Sequence, residues 1–190
     1  MAEKVNRRSF LQRLGGAPII APAAVGLAAS AVWVPEAQAG QEVDRLFFFT
    51  HGTSVQVQSP QLASVARYGW GTVVSQAPSA DPDPLGVDNW FHFAIPTPRS
   101  VNEIPFTCNR IWLDAKVDQF TVINRVHVWD TANQIKQFND LSYVGRDQWY
   151  QFDVQPFTVV ALGVSVGVKW IGLGQVLFRN AGAWFECPQC

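Results

Sequence analysis

Val159-Val160-Ala161-Leu162-Gly163-Val164-Ser165-Val166-Gly167-Val168-Lys169-Trp170 alternates large apolar residues with very small ones at a period of two. Successive side chains of a β-strand point to opposite faces. The pattern therefore puts Val160, Leu162, Val164, Val166 and Val168 on one side and Ala161, Gly163, Ser165 and Gly167 on the other. The first set is expected to line a core. The second is nearly bare, which requires another backbone, an aromatic side chain or a ligand to lie against it.

The same period recurs on both sides of this stretch. Strands are expected over 45–50, 53–58, 69–74, 89–95, 107–116, 121–130, 134–139, 148–154, 159–170 and 175–185, each bounded by Gly, Pro, Asn or Asp. Residues 61–67 have room for one helical turn, and no window of helical length keeps a 3.6-residue apolar pattern. Many short strands without crossover helices disfavour a parallel α/β fold. They predict an all-β domain, an antiparallel two-sheet β-sandwich of jelly-roll type. The longest expected loop is 75–88, with Pro78, Asp81-Pro82-Asp83-Pro84 and Gly86, and Pro96-Thr97-Pro98 closes the next strand sharply.

The first 39 residues read differently. Asn6-Arg7-Arg8-Ser9-Phe10-Leu11-Gln12 resembles the twin-arginine (Tat) export signal, with the Arg7-Arg8 pair and Phe10-Leu11 at the expected spacing and with Asn6 and Gln12 departing from it. An uncharged Ala- and Gly-rich stretch follows, broken by Pro18 and Pro22, and Ala37 and Ala39 fit a signal-peptidase site before Gly40. A retained membrane helix is the competing reading, and the prolines and glycines make the stretch a poor anchor. The expectation is a cleavable signal over 1–39 and one β-sandwich domain over 40–190. The protein would be exported through the Tat translocase, cut by signal peptidase, and periplasmic or secreted.

Removing that segment takes 4 of the 14 basic and 2 of the 15 acidic residues, leaving 10 against 13 and a net charge of −3 with histidine neutral. No basic stripe results, so nucleic acid is not an expected partner. Tryptophans at 70, 90, 112, 129, 149, 170 and 184 are spread along the remainder, either as core or as ligand-facing surface. Cys108, Cys187 and Cys190 are three thiols in an oxidising compartment. A disulfide from Cys108 to one of the C-terminal pair is expected, and Cys187-Pro188-Gln189-Cys190 lacks the following helix that thiol redox chemistry needs.

His51-Gly52-Thr53-Ser54-Val55-Gln56, Gly69-Trp70-Gly71-Thr72, Trp90-Phe91-His92-Phe93-Ala94-Ile95-Pro96-Thr97-Pro98, Val126-His127-Val128-Trp129-Asp130 and the 163–168 strand together resemble a family of small bacterial β-sandwich proteins of unknown function. The resemblance spans nearly all of the mature part and implies the fold. It supplies no chemistry.

Catalytic and metal patterns are sparse. His51, His92 and His127 show no ligand spacing and read as turn and strand-face residues, so no metal site is expected. Asp81, Asp83 and Asp88 do not match a calcium loop. Gly163-Val164-Ser165-Val166-Gly167 has the letters of a nucleophile elbow but sits within a strand, and no phosphate or dinucleotide loop is present, so no cofactor is expected.

What remains is surface. Arg110, Trp112, Asp114 and Lys116 alternate with Ile111, Leu113 and Ala115, and Arg125, His127 and Trp129 share a polar-aromatic face. If those faces adjoin, Trp112, Asp114, Arg125, His127 and Trp129 make a surface for stacking a glycan or small ligand. The leading expectation is a non-enzymatic binding or assembly module. The alternatives are a polysaccharide hydrolase or lyase using His127, Arg125 and Asp130, and a self-associating homo-oligomer.

Overall fold

The computed structural model describes residues 44–78, 86–101 and 103–187. Within them run β1 (Asp44–His51), β2 (Gln56–Val57), β3 (Ala63–Tyr68), β4 (Gly71–Gln76), β5 (Val87–Ile95), β6 (Ser100–Val101), β7 (Ile104–Pro105), β8 (Thr107–Val117), β9 (Thr121–Asp130), β10 (Asn133–Phe138), β11 (Arg146–Thr158), β12 (Leu162–Trp170) and β13 (Gln175–Cys187). All pairings are antiparallel. One sheet has the order β11-β8-β13-β4-β3, with β1 also beside β13; the other has the order β10-β9-β12-β5-β2. β4 flanks the first part of β13 and β1 the second, so two strands share one edge. The domain is a β-sandwich of jelly-roll type.

The decisive strand sits in the middle of the five-stranded sheet, and Leu162, Val164, Val166 and Val168 are all buried inward. Phe91 and Phe93 of β5 face the same interior, where both meet Phe178 of the opposite sheet at centroid distances of 5.4 and 5.5 Å. Ile111, Leu113 and Ala115 of β8 and Ile123, Val126 and Val128 of β9 complete the layer. Burying side chains of this size contributes about 1.5–3 kcal/mol each, which offsets the backbone entropy of ordering so many strands.

Three local expectations are corrected. Val160 is 63% exposed and Val159 is buried in its place, because the strand begins only at Leu162. The backbone N–H groups of Val160 and Ala161 instead donate to Asp130 Oδ1 at 2.9 and 2.8 Å, holding a turn. The segment 61–67 is extended after a 3-10 turn at Pro60–Leu62, since β4 offers β3 a full antiparallel partner. At 53–58 only Gln56–Val57 is a strand. The chain leaves one sheet for the other here through the 3-10 turn Gly52–Ser54, where a Cβ on Gly52 would lie 2.0 Å from Phe178 O.

Cys108 is a buried free thiol and forms none of the expected bridges; burial pushes its pKa up to about 12. Cys187 is disulfide-bonded, and Cys190 lies outside the described residues. The signal motif, the cleavage site, Asp81 and Asp83 also lie outside the described residues.

Candidate functional site

The outer face of the six-stranded sheet is aromatic. In β1 the odd residues point outward, and Phe47 and Phe49 are 54% and 44% exposed. Phe47 stands opposite Trp184 of β13, with ring centroids 6.0 Å apart and planes within 22°. Trp112 of β8 lies 6.5 Å from Trp184 and within 10° of its plane, and 5.6 Å from Phe47. Phe49 and Trp112 both stand opposite Gly182. A Cβ there would come 2.2 Å from Phe49 Cδ1, so the glycine lets Phe49 lie down beside Trp112, 5.9 Å away. Trp149 of β11, 48% exposed, closes the row edge-on to Phe49.

Charges frame these rings. The Arg45 and Arg110 guanidinium groups lie 5.3 and 5.4 Å from the Trp184 ring and pair with Glu186 and Asp153. At the other end Asp114 is buried and accepts from Arg179 Nε at 2.9 Å and Asn180 Nδ2 at 3.3 Å. Arg179 occupies an irregularity in the β13 register, from which it also reaches Asp147. That hydrogen bond holds the Asp147 carboxyl below its ordinary range, and the two carboxylates together raise the Arg179 pKa. Asp114 is thus satisfied by its own neighbours, a structural anchor beneath the aromatic row.

The outer face of the five-stranded sheet is of another kind. A bulge in β9 turns both Asn124 and Arg125 outward beside Gly167, where a Cβ would meet Asn124 Oδ1 at 3.0 Å and Arg125 Nε at 3.1 Å. Because position 167 has no side chain, Arg125 crosses it to sit 4.7 Å over the Trp90 ring, and its Nη2 donates to Asp88 at 3.0 Å. Next along the strand, Ser165 is covered by His92, whose Nδ1 lies 2.8 Å from Ser165 Oγ. Burial lowers the His92 pKa. The bare side of β12 is therefore roofed by Arg125, Trp90 and His92, as its small residues require.

His127 lies 4.7 Å from Trp90 and 6.5 Å from Trp129. Its two ring nitrogens are engaged by Gln134 Nε2 at 2.8 Å and Asn139 Oδ1 at 2.9 Å. A cleft of about 560 Å³ opens here, lined by Asp88, Asn124, Arg125, His127, Gln137 and Asn139 with Asp140 at its side.

The structure divides the residues expected to adjoin. Trp112 and Asp114 are on β8, and Arg125, His127 and Trp129 are on β9 in the other sheet, so the two sets face away from each other. Alternation assigns a face within a strand but not the sheet to which the strand belongs. Nor do His127, Arg125 and Asp130 form an acid/base group: His127 is held by amides, Arg125 by Asp88 and Asp130 by a backbone turn. His51 caps the 3-10 turn, accepting from Thr53 N at 3.3 Å, and no metal-competent cluster occurs among the described residues. Of the other tryptophans, Trp170 is core and Trp70 stacks on Tyr68 in the turn between β3 and β4. Trp149 and Trp184 were read from sequence only as core or ligand-facing tryptophans, and Phe47 and Phe49 were not singled out. Within Leu46-Phe47-Phe48-Phe49 every residue is apolar, so no alternation marks the outward pair.

These features define an all-β sandwich with one aromatic and one amide-rich outer face. The chain belongs to a family of unknown function (DUF6623), matched over residues 43–174. No curated protein matches it in sequence. Among solved structures it is similar to a low-affinity xylan-binding module from Roseburia intestinalis, with a TM-score of 0.44 and 13% identity over 73% of this chain and 94% of that one. A carbohydrate-binding module of Cellvibrio mixtus lichenase 5A, in complex with cellotriose, has a TM-score of 0.41 and 12% identity over 71% and 95% of the two chains. An insecticidal crystal protein has a TM-score of 0.44 and 8% identity over 74% of this chain, which spans 21% of that one.

Proposed function

We propose that this is an exported, non-enzymatic binding module that takes neutral glycan chains on the aromatic face of the six-stranded sheet. The observation that carries the reading is the contiguous aromatic row Phe47, Trp112 and Trp184, whose rings lie 5.6–6.5 Å apart with planes 10–32° from parallel, extended by Phe49 and Trp149. Pyranose rings present an apolar C–H side that stacks on flat aromatic surfaces, and their hydroxyls are met by the carboxylates and guanidinium groups at the rim. Rings already fixed by one another and by Gly182 lose little freedom when a ligand lands on them. The twin-arginine motif and Ala37-x-Ala39 support delivery of the folded domain beyond the cytoplasm.

The test is affinity electrophoresis through gels containing soluble neutral polysaccharides, alongside a reducing-end assay. Retardation by at least one polysaccharide, lost in Trp112→Ala and Trp184→Ala and without release of reducing ends, supports the reading. Turnover, or retardation indifferent to both substitutions, overturns it. The absence of a polar handle on Phe47 and Phe49 favours a second reading, covering of this face by a second copy. A concentration-dependent dimer mass in light scattering that Phe47→Ser abolishes would establish it.

A further inference from the structure

We infer that the cleft on the opposite face is a second ligand site, built to recognise the paired hydroxyls of a single neutral sugar ring. His127, Gln134, Gln137 and Asn139 form a closed cycle of hydrogen bonds. Asn139 Nδ2 donates to Gln137 Oε1 at 3.0 Å, Gln137 Nε2 to Gln134 Oε1 at 2.8 Å, Gln134 Nε2 to His127 Nδ1, and His127 Nε2–H to Asn139 Oδ1. All four bonds run in one direction around the cycle, so each fixes the orientation of the next and no amide can turn over alone.

Each of the three amides spends one N–H and one oxygen lone pair on the cycle and keeps one of each. The cycle lies on β9, on the edge strand β10 and at Asn139 just beyond it, so these spare groups meet solvent. An array of fixed, alternating donors and acceptors matches vicinal hydroxyls, every one of which can both give and accept. Trp90 packs against His127, 4.7 Å away, with Arg125 held over it by Asp88.

Charge selects the ligand class. Among the described residues that line the cleft the one cation, Arg125, is paired with Asp88, and Asp140 adds a further carboxylate, so anions gain nothing here. Asp140 holds a backbone φ of 56°, a left-handed geometry that Asp tolerates better than most residues and that sets its carboxylate beside the cleft. At about 560 Å³ the cleft falls in the range of small-molecule sites and takes one ring with its substituents.

The experiment is a titration of the full mature protein, labelled with ¹⁵N, with methyl β-glucoside, methyl β-xyloside, methyl β-galactoside and methyl α-mannoside to high-millimolar concentration. The side-chain amide signals of Gln134, Gln137 and Asn139 are followed together with the indole signals of Trp112 and Trp184. Saturable shifts of the amides with at least one glycoside, weakened about tenfold in Gln137→Ala, support the site. Amide signals unmoved by every glycoside, or moved equally in Gln137→Ala, overturn it. The indole signals report the aromatic face separately: amide shifts with silent indoles leave this inference standing and count against the aromatic face, and the reverse pattern refutes the cleft alone.

Discussion

Three glycines on outward faces give a graded test of how closely each sheet is roofed. At Gly182 an added Cβ would lie 2.2 and 2.5 Å from the Phe49 ring and 2.6 Å from Phe48 O. The ring can swing away, but the carbonyl belongs to the β1 backbone, so β1 must move from β13 by several tenths of an ångström. Overpacking of this kind costs about 1–3 kcal/mol, reduced by about 0.4–1 kcal/mol because alanine restricts the unfolded chain. Gly182→Ala is therefore expected to be less stable by about 1–2 kcal/mol, a fall in Tm of roughly 2–8 °C for a domain of this size. At Gly167 the contacts, 3.0–3.1 Å, are to the side chains of Asn124 and Arg125, which give way at smaller cost. At Gly163 the nearest atom is Trp129 Cβ at 3.7 Å, ordinary contact, and Gly163→Ala is expected to be neutral or to gain up to about 1 kcal/mol. Urea unfolding of the three variants reads the order directly. A Gly182→Ala protein as stable as Gly163→Ala would refute the packing of Phe49 on β13.

Asp114→Ala removes a buried carboxylate that accepts from Arg179 and Asn180, and is expected to lower stability by about 1.5–3 kcal/mol in the same assay. Burial favours neutral His92, so its folded pKa lies below the ordinary 6.5. Its contribution is complete above pH 6.5 and lost as pH falls through the folded value, and a pH series of urea midpoints should lose that component in His92→Gln. With its pKa near 12, the Cys108 thiol should resist iodoacetamide at pH 8 in the native protein and label once denaturant is added, as peptide mapping will show. Asp130→Ala frees the N–H groups of Val160 and Ala161 in an exposed turn, with an expected loss of about 1 kcal/mol and no effect on ligand binding at either face.

The strands were legible where apolar and polar residues alternate. The 121–130 expectation coincides with β9 end to end, and the small residues of β12, which called for another backbone, an aromatic side chain or a ligand against them, are covered by Trp90, His92 and Arg125. Val160 failed because the alternation runs unbroken into a turn whose geometry is fixed by Asp130, thirty residues away in sequence. The candidate surface was half legible. Trp112 and His127 were rightly placed on outward faces, but which strand joins which sheet depends on long-range pairing that no local period encodes. Gln134, Gln137 and Asn139 escaped notice because isolated amides on an edge strand look like ordinary solvated residues until their mutual bonds are seen.

The most direct measurement is isothermal titration of wild type and Trp112→Ala with the polysaccharide that retards the protein most in affinity gels. Loss of a central stacking ring should cost about 2 kcal/mol, weakening binding about thirtyfold while the urea midpoint stays within the range of other surface variants. Equal affinities for the two proteins would show that the aromatic face of the six-stranded sheet is not where the ligand sits.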